Sequence, residues 1–202
     1  CRRANEGINH AKKENWKWSA DFLIGKQLTG SRLGILGMGR IGRALAKIAT
    51  SFGMEIHYRN RTKLSPEMEN GAKYHESIKS LFSVSDILSI CCPATKETKD
   101  IINKETLEYF PTGAIITNVA RGDMIEDVAM VQALINRKIY AVGLDVYKGE
   151  PKIYSGYLNQ PTAFILPHLG SATKKTRTAM ADLAISNIED FFSTGKCKNI
   201  IN

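Results

Sequence analysis

Gly37-Met38-Gly39-Arg40-Ile41-Gly42 is the stretch on which the reading of this chain turns. The spacing GxGxxG is a weak signal alone, and its meaning comes from what flanks it. Residues 32–36, Arg-Leu-Gly-Ile-Leu, form a short apolar run of strand character that leads directly into it. Residues 40–52 follow, with Ile41, Leu45, Ile48 and Ala49 predicted on one helical face. A strand, a glycine turn and a helix in that order make a cradle for a pyrophosphate. In that arrangement Gly37 permits the tight turn, Gly39 lets the backbone approach the phosphates, and Gly42 lets the helix pack close to the strand. The N–H groups that open the helix then face the anion, aided by the helix dipole.

The same alternation continues along the chain. Strands are predicted at 55–58, 86–91, 114–119, 140–146 and 164–166, and helices at 77–82, 103–110, 126–137 and 173–194, the last stopping at Gly195. Residues 148–161, rich in Gly, Pro, Tyr and Asn, read as a surface loop. Strands alternating with helices imply an α/β fold of the Rossmann type, a doubly wound parallel sheet with helices on both faces. The dinucleotide-binding domain is placed at 20–172, with helical arms at 1–19 and 173–202. The polar, helix-compatible opening reads as a helix belonging to something that precedes it.

Bulk properties narrow the function classes. The 202 residues are 43% hydrophobic and 24% charged, an ordinary globular balance. The net charge of +8 raises nucleic acid as a partner, but the basic residues are dispersed, without aromatic interleaving or zinc-finger spacing, so no nucleic-acid partner is expected. The four cysteines, Cys1, Cys91, Cys92 and Cys197, form no CxxC pair, so neither a metal site nor a disulfide framework is expected, and a reducing cytoplasm fits. No apolar run approaches membrane-spanning length, and no membrane association is expected.

The end of the second strand bears on cofactor choice. NAD binders place an Asp or Glu there to hold the ribose 2′-hydroxyl. This chain has Arg59-Asn60-Arg61-Thr62, with Asn60 at the acidic position. Asn60 does not repel a 2′-phosphate, Arg61 can pair with one through charge-assisted hydrogen bonds, and Thr62 adds a hydroxyl donor. The expectation is NADP in preference to NAD.

Three further segments are specific: Asn118-Val119-Ala120-Arg121-Gly122; Gly143-Leu144-Asp145-Val146-Tyr147 continuing to Glu150-Pro151; and Leu166-Pro167-His168-Leu169-Gly170-Ser171-Ala172-Thr173. With the glycine turn, and in this order, they resemble the D-isomer-specific 2-hydroxyacid dehydrogenases, most nearly the glyoxylate and hydroxypyruvate reductase branch. The resemblance implies hydride transfer between NAD(P)H and a small 2-oxo or 2-hydroxy acid, with Arg121, Glu150 and His168 as the catalytic set. Each suits its role chemically. An arginine at a strand end can clamp the substrate carboxylate and polarise its carbonyl. A histidine can give the carbonyl oxygen a proton, and a glutamate can hold the other imidazole nitrogen and favour the protonated ring. The resemblance also implies that Arg40 and Ile41 lie over the pyrophosphate. It puts Cys92, Pro93 and Thr98 on the adenosine side, and Val119, Ala120 and Asp145 around the nicotinamide. Glu150 argues against formate dehydrogenase, whose matching residue is a glutamine.

Against that family, the amino-terminal stretch that supplies most of the substrate domain is missing. Little or no reductase activity is therefore expected of these 202 residues alone. A non-catalytic dinucleotide-sensing module of the same fold is the alternative reading. The resemblance further implies a homodimer through the crossing-helix region, with Trp16 and Trp18 as candidate contacts.

Overall fold

The computed structural model describes residues 1–202 except Glu14, Lys17, Lys198, Ile201 and Asn202. In chain order the elements are α1 (Ala4–Ala11), β1 (Arg32–Leu36), α2 (Arg40–Ser51), β2 (Glu55–Arg59), α3 (Pro66–Glu69), β3 (Lys73–Tyr74), α4 (Ile78–Val84), β4 (Ile87–Ile90), α5 (Lys104–Leu107), β5 (Ala114–Asn118), α6 (Asp127–Ile135), β6 (Ile139–Leu144), α7 (Ser155–Leu158), β7 (Ala163–Ile165) and α8 (Lys174–Thr194). The chain divides into two compact units, Cys1–Pro167 and His168–Asn202.

The first unit holds a seven-stranded sheet in the order β3-β2-β1-β4-β5-β6-β7. Every pairing is parallel. Strands buried on both faces read as nearly continuous apolar runs, as β1 (RLGIL) and β4 (ILSI) do. One core cluster joins Leu33, Ile35 and Ile56 of the sheet to Ala46 and Ala49 of α2. A larger one joins Leu88, Ile90 and Ile116 to Leu81 and Phe82 of α4 and to Met130 and Leu134 of α6. Helices thus cover both faces, as the alternating pattern predicts. The strand order reverses between β1 and β4, which opens a crevice at the carboxyl ends of these strands.

The seating of α2 differs from the expected one. The helix rests on its small residues Gly42, Ala46 and Ala49, with Leu45 partly buried, while Ile41 and Ile48 are 63% and 58% exposed. The cause is close approach. A Cβ on Gly42 would stand 2.6 Å from the Gly37 carbonyl oxygen and 3.0 Å from Ile35 Cγ2, so only small side chains fit beneath this helix. The segment 148–161 is also more than a surface loop. It contains α7, and Tyr157 within it is 1% exposed, its hydroxyl donating to Asp127 Oδ1 at 3.0 Å. Turn-forming composition marks where the chain bends, but one aromatic ring in such a segment can still fill the core.

Asp86 anchors the start of β1. Its carboxylate accepts from the Arg32 backbone N–H (2.9 Å), Nε (3.0 Å) and Nη2 (2.8 Å). These bonds hold the carboxyl below the usual aspartate range, against the opposing pull of burial. A depressed folded-state pKa contributes stability that is present above the unfolded value near ~3.9 and is lost as pH falls through the folded value. The pair is partly solvated, so the expected contribution is about 1 kcal/mol. Urea midpoints measured from pH 5 downward should fall less steeply for Arg32→Gln than for the parent. Parallel curves would show that the pair does not act this way.

The second unit contains α8. Thr173 Oγ1 caps its start by accepting the Thr176 N–H at 3.1 Å, and Gly195 ends it in the left-handed conformation with φ 71°. None of its residues is buried, although it carries Met180, Leu183, Ile188 and Phe192. Among the described residues no helix is long and apolar enough to cross a membrane.

Candidate functional site

The crevice between β1 and β4 is shaped by the glycine turn. Gly37 has φ 96°, a conformation open to glycine at no steric cost. A Cβ there would lie 2.4 Å from Cys92 N and 2.5 Å from Cys92 Cα and Cβ, so the end of β1 abuts the chain leaving β4. Two bonds tie the turn to the end of β2. Gly37 N–H donates to the Arg59 carbonyl at 3.0 Å, and Met38 N–H donates to Asn60 Oδ1 at 2.7 Å. Gly39 is the opposite case. A Cβ on it would meet nothing within 4 Å, so this side of the turn is open. No side chain caps α2, and its first turn carries no acidic residue.

From the turn a cleft of 530 Å³ extends along the ends of β2 and β4. Gly37, Gly39, Asn60, Arg61, Thr62, Cys92, Pro93 and Thr98 line it, which brings eight of the sequence-predicted cofactor residues into one space. Arg59, Ile78, Thr95, Glu97 and Ile101 are also among its walls. Thr98 works within its own loop: Oγ1 accepts the Thr95 N–H at 2.8 Å and donates to the Pro93 carbonyl at 3.0 Å. The Thr95 hydroxyl and the backbone N–H of Glu97 hold the Glu97 carboxyl below its ordinary range, and the Arg61 guanidinium adds to this. Burial pushes both neighbouring thiols up, Cys92 to about 11, so they stay protonated and act as small apolar wall residues.

The donor set suits a dinucleotide. The uncapped start of α2 suits a pyrophosphate, the open side of Gly39 leaves room for it, and Arg59 Nε is a buried donor with no acceptor. Arg40 and Ile41 are exposed on the first turn of α2, and Gly42 is buried behind them.

A second group of predicted residues gathers where β5 and β6 end. Asn118, fully buried, braces the bend after β5: Oδ1 accepts the Ala120 N–H at 3.0 Å and Nδ2 donates to the Arg121 carbonyl at 2.8 Å. Asp145 N–H donates to the Asn118 carbonyl at 3.1 Å, which sets the loop after β6 beside the one carrying Val119 and Ala120. Val119 is 46% exposed, and the exposed Arg121 donates from Nη1 to the Ala120 carbonyl at 2.7 Å. Glu150 Oε1 accepts the Tyr147 N–H at 2.9 Å. The Tyr147 hydroxyl donates to the Leu166 carbonyl at 2.7 Å and also lies 3.0 Å from the Leu144 carbonyl, joining the ends of β6 and β7. Arg121 and Glu150 therefore stand in the first unit, and His168, with φ 55°, opens the second.

Comparison with known proteins decides what this arrangement is. Residues 1–170 match the profile described as "D-isomer specific 2-hydroxyacid dehydrogenase, NAD binding domain". The chain belongs to this family. It is 41% identical to a glycerate dehydrogenase of Hyphomicrobium methylovorum over 95% of its own length and 61% of that protein's. Among solved structures, a glyoxylate reductase from Paecilomyes thermophila aligns with TM-score 0.91 and 40% identity, covering 97% of this chain and 59% of that one. An NADPH-dependent glyoxylate/hydroxypyruvate reductase from Sinorhizobium meliloti aligns with TM-score 0.79 and 33% identity, covering 86% and 53%. The chain thus spans about three fifths of the length of the first two of these relatives.

Members of the D-isomer-specific 2-hydroxyacid dehydrogenase family are NAD(P)-dependent enzymes, and this chain is an NAD(P)-binding domain of that family. Sequence reading missed Arg59 as a cleft residue and Asn118 as the brace of the Arg121 bend. Both stand within motifs quoted for other residues. Only their side-chain environments, a vacant donor and a closed pair of hydrogen bonds, single them out.

Proposed function

We propose that this chain is the dinucleotide-binding part of a reductase of small 2-oxo acids of the glyoxylate or hydroxypyruvate kind, with NADPH the preferred donor. The observation that carries the cofactor preference is the end of β2. There an amide, Asn60, stands where a carboxylate would hold a ribose 2′-hydroxyl, and its Oδ1 is engaged by the Met38 N–H. Arg61 and Thr62 beside it offer a cation and a hydroxyl donor to a 2′-phosphate. Gly37, Gly39, Arg40, Ile41 and Gly42 would hold the pyrophosphate; Cys92, Pro93 and Thr98 would border the adenosine, and Val119, Ala120 and Asp145 the nicotinamide.

When bound, the reduced nicotinamide supplies hydride to the substrate's carbonyl carbon. Arg121 binds the substrate carboxylate and polarises the carbonyl. His168 gives its proton to the carbonyl oxygen, or takes it back from the hydroxyl in the reverse direction. The family resemblance assigns Glu150 the orienting of the imidazole; within the first unit its Oε1 accepts the Tyr147 N–H. The division into 1–19, 20–172 and 173–202 follows this reading, with 20–172 as the cofactor domain. The proposed assembly is a homodimer through the region of Trp16 and Trp18, which are 58% and 78% exposed.

Titration of the chain with NADPH and NADH, followed by nicotinamide fluorescence, tests the cofactor claim. NADPH should bind about tenfold more tightly or better, the worth of one charge-assisted contact. Equal dissociation constants would overturn the preference.

A further inference from the structure

Arg59 is the last residue of β2, and neither the sequence motifs nor the family resemblance gave it a role. Three observations set it apart. Its carbonyl is fixed by the Gly37 N–H at 3.0 Å, so its backbone position is locked to the phosphate-binding turn. It lines the same cleft as Arg61 and Thr62. Its Nε is buried and has no hydrogen-bond acceptor, and among the described residues no carboxylate lies within salt-bridge distance of it.

A buried donor without an acceptor is unfavourable, and more so when it belongs to a cation. The one acidic wall residue, Glu97, is held by Thr95 and feels Arg61 rather than Arg59. Arg59 and Arg61 flank Asn60 and all three border the cleft, and the Asn60 side-chain oxygen Oδ1 is taken up by the Met38 N–H. The guanidinium of Arg59 is a planar fork of donors whose best complement is a phosphate or carboxylate.

We infer that Arg59 is a specificity-determining residue of the cofactor cleft, its guanidinium pairing with the ribose 2′-phosphate together with Arg61. The inference rests on the proposed NADPH preference and adds to it a second, deeper cation. A single exposed arginine is screened by solvent, whereas one with a desolvated donor gains more from a phosphate and loses more when offered a bare hydroxyl.

The test uses two nucleotides that differ only in the group at issue, adenosine 2′,5′-bisphosphate and adenosine 5′-monophosphate, titrated calorimetrically into the parent chain, Arg59→Gln and Arg59→Lys. The parent should bind the bisphosphate more tightly. Arg59→Gln should weaken the bisphosphate roughly tenfold or more while leaving the monophosphate within about twofold. Arg59→Lys, which keeps the charge but not the fork, should fall between. Retained monophosphate binding also shows that the variant is folded. Equal weakening of both nucleotides would overturn the inference, since the arginine would then serve the base or the 5′-phosphate. Unchanged bisphosphate binding in Arg59→Gln would overturn it as well. A parent that does not distinguish the two nucleotides would instead remove the NADPH reading on which it rests.

Discussion

Gly37→Ala is expected to destabilise the protein by about 3 kcal/mol or more and to abolish measurable NADPH binding. Two independent penalties combine. The residue has φ 96°, and a non-glycine residue held in such a region costs on the order of 1–3 kcal/mol. The added methyl also falls 2.4–2.5 Å from Cys92 N, Cα and Cβ. Those are chain atoms of the neighbouring strand end, not the tip of a flexible side chain, so β1 and β4 must part to admit it. Overpacking of that kind typically costs a further ~1–3 kcal/mol. The cleft lies along the same junction, and its walls move with it. Gly39→Ala is the control. Its methyl meets nothing within 4 Å, so urea unfolding should match the parent within about 1 kcal/mol, the ordinary range of such a glycine change. NADPH affinity should still fall, because the methyl occupies the side from which the pyrophosphate approaches. Parent-like stability for Gly37→Ala would refute the steric account.

Gly122→Ala is expected to cost a similar amount, at a place that matters for the reacting groups. A Cβ on Gly122 would stand 1.9 Å from Tyr147 C and 2.3 Å from both Tyr147 O and Lys148 N. The peptide in its way is tied on both sides. The Tyr147 N–H is bound to Glu150 and its hydroxyl to the Leu166 carbonyl. Gly122 in turn follows Arg121, whose carbonyl is held by the Asn118 amide. Neither segment can yield alone, so the substitution should displace Arg121 or Glu150 or both. Thermal unfolding should drop by roughly 5–10 °C or more for ~3 kcal/mol in a domain of this size. Amide hydrogen exchange at Ala120 and Tyr147 should accelerate, because their N–H groups carry the affected bonds to Asn118 and Glu150. An unfolding temperature within a degree or two of the parent would mean that the two loops are looser than their contacts indicate.

Much of this architecture was legible in residue order. The apolar runs 32–36, 86–91 and 114–119 read as strands because burial on both faces leaves little room for polar residues, and the structure ends them at Leu36, Ile90 and Asn118. Gly195 read as the end of α8 because the left-handed cap it occupies favours glycine. The short elements α3, β3 and α7 were not legible. β3 has two residues and α7 four, too few to display a period. The face of α2 misled because large apolar residues outweigh glycine and alanine in any pattern of hydrophobicity. Close packing selects for smallness instead, and it put Gly42, Ala46 and Ala49 against the sheet.

The candidate site divides in the same way. The residue types at Arg121, Glu150 and His168, the glycine spacing, and the absence of an acid at Asn60 are properties of the sequence alone. They set which chemistry is possible, because charge, donor count and backbone freedom belong to each residue wherever it lies. Tertiary structure decided which of them share a space. It set β1 beside β4 and pressed Gly37 against Cys92. It turned Asn60 toward the Met38 N–H, 22 residues away, and left Arg59 Nε buried without an acceptor. Such contacts depend on how parallel strands are ordered after each crossover, and that order follows from packing both faces of the sheet at once rather than from any local run of residues.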